Sequence, residues 1–424
     1  VDEVNEMNNN WWCENIRASN PCVTADTWIQ TAAGPRQVSD LFGQPFLARV
    51  DGQDHTSGPE GFFRTAAKPV VRLQTTEGYS LKLTADHRLR RVLRYTRYST
   101  DTEWCEVGEL RVGDRVLLND HRANPQWGGN HGFHEGYLMG LLVGDGTLKQ
   151  DAAILSVWQA ASVANGATPD ITSGIRDVMT EALAAARTLP HRADFIGWHK
   201  VAGRGEYRLA TAAIRDLAFD LGLRPDAKTI TPSIEQASSE FYRGFLRGLF
   251  DADGSVQGSQ LKGVSVRLSQ SNLPLLEAAQ RMLLRLGIAS TLYRERRPTG
   301  SSLLPDGKGG MAHYATRIQH ELVISGENLL RFRDLIGFAD HDKATRLDAL
   351  LANYQRALNR ERFIARVEAV VPAGVEDVYD VQVPGINCFD ANGFHAHNCG
   401  EQMLPPYGSC LLGSVNLTPF VQNP

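Results

Sequence analysis

Three short runs in this chain hold nucleophilic and proton-transferring residue types. Cys22-Val23-Thr24-Ala25-Asp26-Thr27 offers a thiol, Thr84-Ala85-Asp86-His87 a hydroxyl and an imidazole, and His395-Ala396-His397-Asn398-Cys399 two imidazoles, a side-chain amide and a second thiol. A cysteine attacks carbonyls as its thiolate, so a neighbouring base or cation is expected to lower its pKa. Imidazole exchanges protons near neutral pH. A second kind of chemistry sits in the middle of the chain. Leu138-Met139-Gly140-Leu141-Leu142-Val143-Gly144-Asp145-Gly146 recurs as Leu246-Arg247-Gly248-Leu249-Phe250-Asp251-Ala252-Asp253-Gly254. Each copy reads as an apolar helix ending in Asp-Gly, with the Gly free to take the left-handed position past the helix end. Gly140 and Gly144, like Gly248 and Ala252, share a helix face. Small residues there let two helices approach closely, which would bring Asp145 and Asp253 together. Two neighbouring carboxylates repel unless a cation sits between them.

The elements that must carry these groups alternate in type. Residues 22 to about 120 read as strands: Thr27–Thr31 up to a turn at Gly34-Pro35, Ser80–Thr84, and a strand pair over Val107–Val116 around Gly113-Asp114. Residues 121–134, rich in Asn, Gly, Pro and His, read as a linker. Helical periodicity mixed with strands follows to about 355, and two β-type runs return at Arg366–Val371 and Val378–Val383. A β region split by an α/β region implies one domain inserted into another.

In this order, the motifs resemble the intein family, whose β fold is the horseshoe-shaped Hint fold. The resemblance covers residues 22–398. It implies a split all-β Hint horseshoe with an inserted α/β pseudo-twofold LAGLIDADG endonuclease domain. The expected segments are 22–125 and 356–398 for the Hint parts, 126–355 for the endonuclease, and 1–21 and 399–424 for the flanks. It also implies self-splicing without cofactor or partner protein. Cys22 would attack the Pro21 carbonyl, with His87 protonating the leaving amide and Thr84 bonding the stretched peptide. Cys399 would then take over the upstream chain, helped by Asp380. Asn398 would cyclise and release the insert, assisted by His397 and with His395 as a helper. The chain departs from the family pattern at Asn387, where many inteins carry a histidine. Cys105 and Cys388 read as small buried residues.

The repeat resembles the paired helices of monomeric LAGLIDADG homing endonucleases. That resemblance implies Mg²⁺ held by Asp145 and Asp253, with Lys228 near the active centre. It also implies double-stranded DNA as substrate, the intein-free host gene being the expected target. A domain kept only as a spacer is the competing reading; the intact acids and lysine argue against it. Arg281, Arg285, Arg294, Arg296 and Arg297, opposed locally only by Glu295, read equally as a phosphate-contacting run or as a solvated helix face and loop.

Joined across the insert, the flanks resemble the catalytic segment of a ribonucleotide reductase large chain, most like the adenosylcobalamin-dependent class. The resemblance implies that Cys399 bears the thiyl radical, Glu401 is a general base, Asn20 binds substrate and Cys410 is a reducing thiol. Composition constrains the rest. The 424 residues carry a net charge of -4, which gives no global nucleic-acid signal, and the six cysteines form no C-x-x-C pair. No apolar run approaches a membrane span and no signal peptide is legible, so a cytoplasmic location is expected.

Overall fold

The computed structural model describes residues 22–96, 98–158, 173–202, 205–259, 263–305, 311–354 and 357–398. The first and last parts of that range share one antiparallel β system. The strand Ile364–Val381 runs along Phe62–Thr75 and also pairs with Val23–Thr24 and Arg115–Leu117. The register sets Val23 against Tyr379 and Leu117 against Ile364. On the other side, Phe394–His397 lies between Arg88–Tyr95 and Cys388–Ala391. Alternating apolar residues such as Leu73, Leu81, Leu83, Leu89, Phe389 and Phe394 fill the space between these strands.

Two sequence expectations change here. The run Val107–Val116 is not a strand pair. Val107–Glu109 is a single 3-10 turn, the Arg111 amide donates to the Asp114 carboxylate at 2.9 Å, and only Arg115–Leu117 extends. That local side-chain bond competes with a ladder. The separate runs at 366–371 and 378–383 belong to one 18-residue strand that bends through register shifts around Pro372–Val375. A proline cannot donate to a ladder, so the pairing is interrupted there without ending the strand.

The central region holds two similar halves. Each starts with a long helix, Phe133–Gly144 and Ser239–Asp253. In each half a four-stranded antiparallel sheet follows in the same order. The first is Thr147–Leu148, Ala153–Trp158, Glu206–Ala210, His199–Lys200, and the second is Gly254–Ser259, Gly263–Gln270, Gln319–Ser325, Thr291–Arg297. The two helices touch backbone to backbone. A Cβ on Gly140 would lie 2.1 Å from the Phe245 carbonyl oxygen, and one on Gly248 would lie 2.4 Å from that of Tyr137. Near their C-terminal ends, a Cβ on Gly144 would lie 2.5 Å from that of Ala252. The left-handed reading of Gly146 and Gly254 does not hold. Gly254 has φ -78, and Gly146 is absent from the positive-φ glycines. Both glycines are needed because a side chain would strike Leu142 or Phe250 one turn back.

A buried ion-pair cluster inside the insert aims Arg285 at the β system. Glu235 accepts from Arg281 at 2.7 Å and from Arg285 at 2.8 Å, and the Arg285 guanidinium lies 5.3 Å over the Trp28 ring. Burial alone would raise the Glu235 carboxyl; the two guanidiniums hold it below its usual range. These two arginines from the 281–297 run are therefore structural rather than free for phosphate. Leu284 belongs to the β core, against the Gly393 turn. Among the described residues no helix is long and apolar enough to cross a membrane.

The glycine contact predicts a large penalty for one methyl group. Gly140→Ala is expected to lower unfolding free energy by about 3 kcal/mol, as over-packing of a rigid contact does. Urea denaturation measures it; a loss below about 0.5 kcal/mol would mean that the helices separate freely.

Candidate active sites

Cys22 lies just before the strand Val23–Thr24 and is fully buried. Its Sγ is 3.1 Å from Thr65 Oγ1 and 4.0 Å from Lys68 Nζ. Burial pushes the thiol up to about 11; Thr65 and Lys68 pull it down, and the charges of Asp380 and Asp86 push it up. The expected lowering is thus reversed, because removal of the thiolate from water outweighs the ammonium at 4.0 Å. Thr65 and Lys68 escaped the sequence reading. Thr65 sits at a register shift, where Val378 opposes Ala66 and Tyr379 opposes Arg64. A bulge of this kind re-aims one side chain, and no alternation pattern announces it.

The Thr84-His87 turn closes over the same residue. The Cys22 amide donates to Thr84 Oγ1 at 3.0 Å, and the Thr84 amide donates back to the Cys22 carbonyl at 3.0 Å. The His87 ring is buried, with neither nitrogen hydrogen-bonded among the described residues. Burial pushes it down to about 3, against the nearby Cys22 backbone and together with the charge of His397. His87 is therefore neutral at pH 7 and lies within electrostatic reach of both Cys22 and His397.

The last hairpin brings the other end of the segment here. Asn398 is fully buried; its amide donates to the Asn387 carbonyl at 3.2 Å, while Oδ1 and Nδ2 have no partner among the described residues. His397 packs edge-on to Trp104 at 4.7 Å, and burial followed by Arg88 lowers its pKa, opposed by the Asn398 backbone. Asp380 is buried on the long strand, accepts from the Val381 amide at 2.8 Å, and acts electrostatically on Cys22. His395 contacts other groups: Asp51 Oδ1 at 3.2 Å on one side and Cys388 Sγ at 3.6 Å on the other. Asn387, at φ 48, contributes its carbonyl to the hairpin's end. Asn20, Cys399, Glu401 and Cys410 lie outside the described residues.

A second constellation forms at the paired helix ends. Asp253 is pushed up to about 6 by burial and then by the Asp145 charge, against Lys343, Lys228 and a bond from Gln270 Nε2 at 2.5 Å. Burial also raises Asp145. Lys228 Nζ donates to the Leu142 carbonyl at 3.2 Å and to that of Gly146. Lys343 mirrors it, donating to the Phe250 carbonyl at 3.2 Å and to that of Asp251 at 2.5 Å. The sequence pointed to Lys228 but not to Lys343, because the segments around the two lysines differ and only the pseudo-twofold axis equates them. Two carboxylates at adjoining helix ends, Asp145 exposed and Asp253 half-buried with its proton affinity raised by burial and by the Asp145 charge, suit a hard divalent cation completing its shell with phosphate and water oxygens. No cluster of three or more His, Cys, Asp or Glu side chains occurs among the described residues, so Asp145 and Asp253 are the side chains available to such an ion.

Comparisons with known proteins match both parts. The LAGLIDADG-like domain family matches residues 240–337. The matched segment lies within the insert, between the paired strands at Leu117 and Ile364. The chain is 25% identical to the ribonucleoside-diphosphate reductase NrdEB subunit alpha of Bacillus subtilis, over 100% of this chain and 41% of the relative. It is 26% identical to the replicative DNA helicase DnaB of Rhodothermus marinus, over 90% of this chain and 46% of the relative. It spans less than half the length of either. Among solved structures, a variant of the Ssp DnaB mini-intein aligns at TM-score 0.26 and 11% identity, over 89% of this chain and 98% of that one. The endonuclease I-DmoI, solved with DNA and Mn, aligns at 0.28 and 18%, over 48% and 96%.

The raised Cys22 thiol has a direct consequence. Alkylation of Cys22 in the folded chain is expected to accelerate about tenfold per pH unit from about pH 7 to about pH 10, following the thiolate fraction. Lys68→Met should slow it several-fold at fixed pH. Mass mapping of the Cys22 peptide gives the rates; a plateau near pH 8 would show an ordinary, solvated thiol.

Proposed function

We propose that the β domain excises residues 22–398 and joins the flanks. The observation that carries this reading is the meeting of Cys22, Thr84, His87, His397 and Asn398 in one buried region. The Cys22 thiol loses its proton and its sulfur bonds to the Pro21 carbonyl carbon, while the C–N bond to Cys22 breaks. Neutral His87 faces this backbone and is suited to carry the thiol proton to the departing nitrogen, so it acts as base and then as acid. Thr84 holds that nitrogen in place through its hydroxyl. The Cys399 thiol, with Asp380 as its activating acid–base group, attacks the thioester carbonyl; the bond to the Cys22 sulfur breaks, Cys22 leaves as a thiol, and the upstream chain passes to the Cys399 sulfur. The Asn398 side-chain Nδ2, without a hydrogen bond among the described residues, attacks its own backbone carbonyl carbon. His397 then supplies the proton to the Cys399 nitrogen as its bond to Asn398 breaks, and the freed amine takes the upstream acyl group from the Cys399 sulfur, closing the Pro21–Cys399 peptide bond and restoring the thiol. His395, held between Asp51 and Cys388, acts by fixing the hairpin.

The inserted domain is proposed to cleave double-stranded DNA, the intein-free host gene being the target. Asp145 and Asp253 would hold Mg²⁺, which supplies an activated water and stabilises the leaving oxygen. Lys228 and Lys343, each anchored on the carbonyls of one helix end, offset negative charge beside the acids. The host is proposed to be a ribonucleotide reductase, with Cys399, Glu401, Asn20 and Cys410 in its restored centre. Adenosylcobalamin dependence rests on the flank residues alone.

Two pairs of variants separate these activities. Cys22→Ala should stop cleavage at the upstream junction and Asn398→Ala should stop release at the downstream one, read as product masses. Unchanged masses in both would defeat the splicing reading. Asp145→Asn and Asp253→Asn should each abolish cutting of the uninterrupted gene in Mg²⁺ and leave splicing intact. Wild-type protein that never cuts that DNA would leave the domain as a spacer.

A further inference from the structure

Away from both constellations, the β domain carries arginines that no carboxylate pairs. Arg115, Arg360, Arg362 and Arg366 line one open cleft of about 500 Å³ together with Glu77 and Tyr95. Among the described residues, none of the four has a carboxylate oxygen within 4.0 Å. Two guanidiniums flank one ring, with Arg115 5.2 Å and Arg362 5.4 Å from the Tyr95 centroid. The cleft's own acids are occupied by amides. Glu361 accepts from Asn328 Nδ2 at 2.7 Å and from the Arg362 and Phe363 amides at 2.8 and 2.7 Å, and Glu77 accepts from the Arg366 amide at 2.7 Å. Four cations therefore face two committed anions. A second cleft of about 550 Å³ shares Arg360 and Arg362 and extends to Tyr98, which is 91% exposed.

This surface continues from the inserted domain. The edge strand of its second sheet, Thr291–Arg297, is tied to the cleft wall, the Leu292 amide donating to the Glu77 carbonyl at 2.8 Å. Arg294 reaches Glu368 on the long strand at 3.8 Å, two residues from Arg366. The same strand carries a further guanidinium on a ring, Arg296 5.0 Å over the exposed Tyr293 ring and 3.5 Å from the Glu321 carboxylate. Guanidiniums bind phosphate oxygens in pairs, and an aromatic face beneath them keeps them oriented and partly dry. A row of such groups running off a sheet edge matches a polyanion with regularly spaced phosphates better than a small anion.

We propose that this arginine cleft is an auxiliary phosphate site, gripping the flank of duplex DNA that leaves the edge of the second sheet. It rests on the reading of the inserted domain as DNA-binding, and adds affinity from the β domain without touching the acids. The test uses fluorescence anisotropy with duplexes of about 24 and about 48 base pairs centred on the uninterrupted insertion codon, titrated over a range of salt. Arg360→Ala/Arg362→Ala should bind the long duplex about tenfold more weakly, with a salt slope shallower by about 2, and bind the short duplex as wild type does. Arg360→Lys/Arg362→Lys should restore most of the slope. Thermal melting and splicing of both variants should match wild type. Wild-type affinity of the alanine variant for the long duplex, or equal loss on both lengths, overturns the cleft while leaving the DNA reading standing. Failure of wild-type protein to bind either duplex overturns both.

Discussion

The chain must leave the β domain and come back to it at one place, and the rest of the architecture depends on this constraint. Leu117 and Ile364 are paired neighbours, and the Leu118 amide donates to the Phe363 carbonyl at 2.7 Å. Everything between them is an excursion that starts and ends on adjacent strands. The return strand then pairs in turn with Arg115–Leu117, Phe62–Thr75 and Val23–Thr24, so the hydrogen bonds that close the insertion also fix the position of Cys22. Loop-closure entropy grows only slowly with length, so a long insertion with its own core can be carried at this point.

Inside the insertion a second contact does comparable work at shorter range. Glycines let two helices meet at the backbone, and their C-terminal ends therefore bring two acids close enough for the Asp145 charge to raise Asp253. Ordinary side chains at those positions would hold the helices further apart and weaken the coupling that raises Asp253. The lysines opposite each acid come from the segments after the two sheets, so one approximate symmetry axis places four charges.

The β domain handles its reactive groups differently, by burial. A thiol pushed up to about 11 and an imidazole pushed down to about 3 are both kept in their neutral forms. Proton transfer between neutral groups leaves no charge stranded at rest and generates charge only along the reaction. In the proposed reaction, the close hydroxyl of Thr65 and the ammonium of Lys68 would stabilise the sulfur as it becomes negative.

Much of this was legible in the residues alone. The order of nucleophile, Thr-x-x-His, inserted repeat and terminal His-Asn-Cys told of a split β domain around a pseudo-twofold one, because each motif needs its neighbours only in sequence. The spacing of Gly140, Gly144 and Gly248 told of close helices, because helix geometry fixes which residues share a face. Tertiary structure alone decided the electrostatics. It buried Cys22 where its sequence neighbours suggested activation, placed Thr65 through a bulge, matched Lys343 to Lys228, and turned His395 toward Asp51 and Cys388. It also committed Arg281 and Arg285 to Glu235 while leaving Arg360 and Arg362 unpaired. A pKa or an ion pair depends on which distant strands deliver charge and exclude water, and local sequence carries periodicity and residue type but not that long-range assembly.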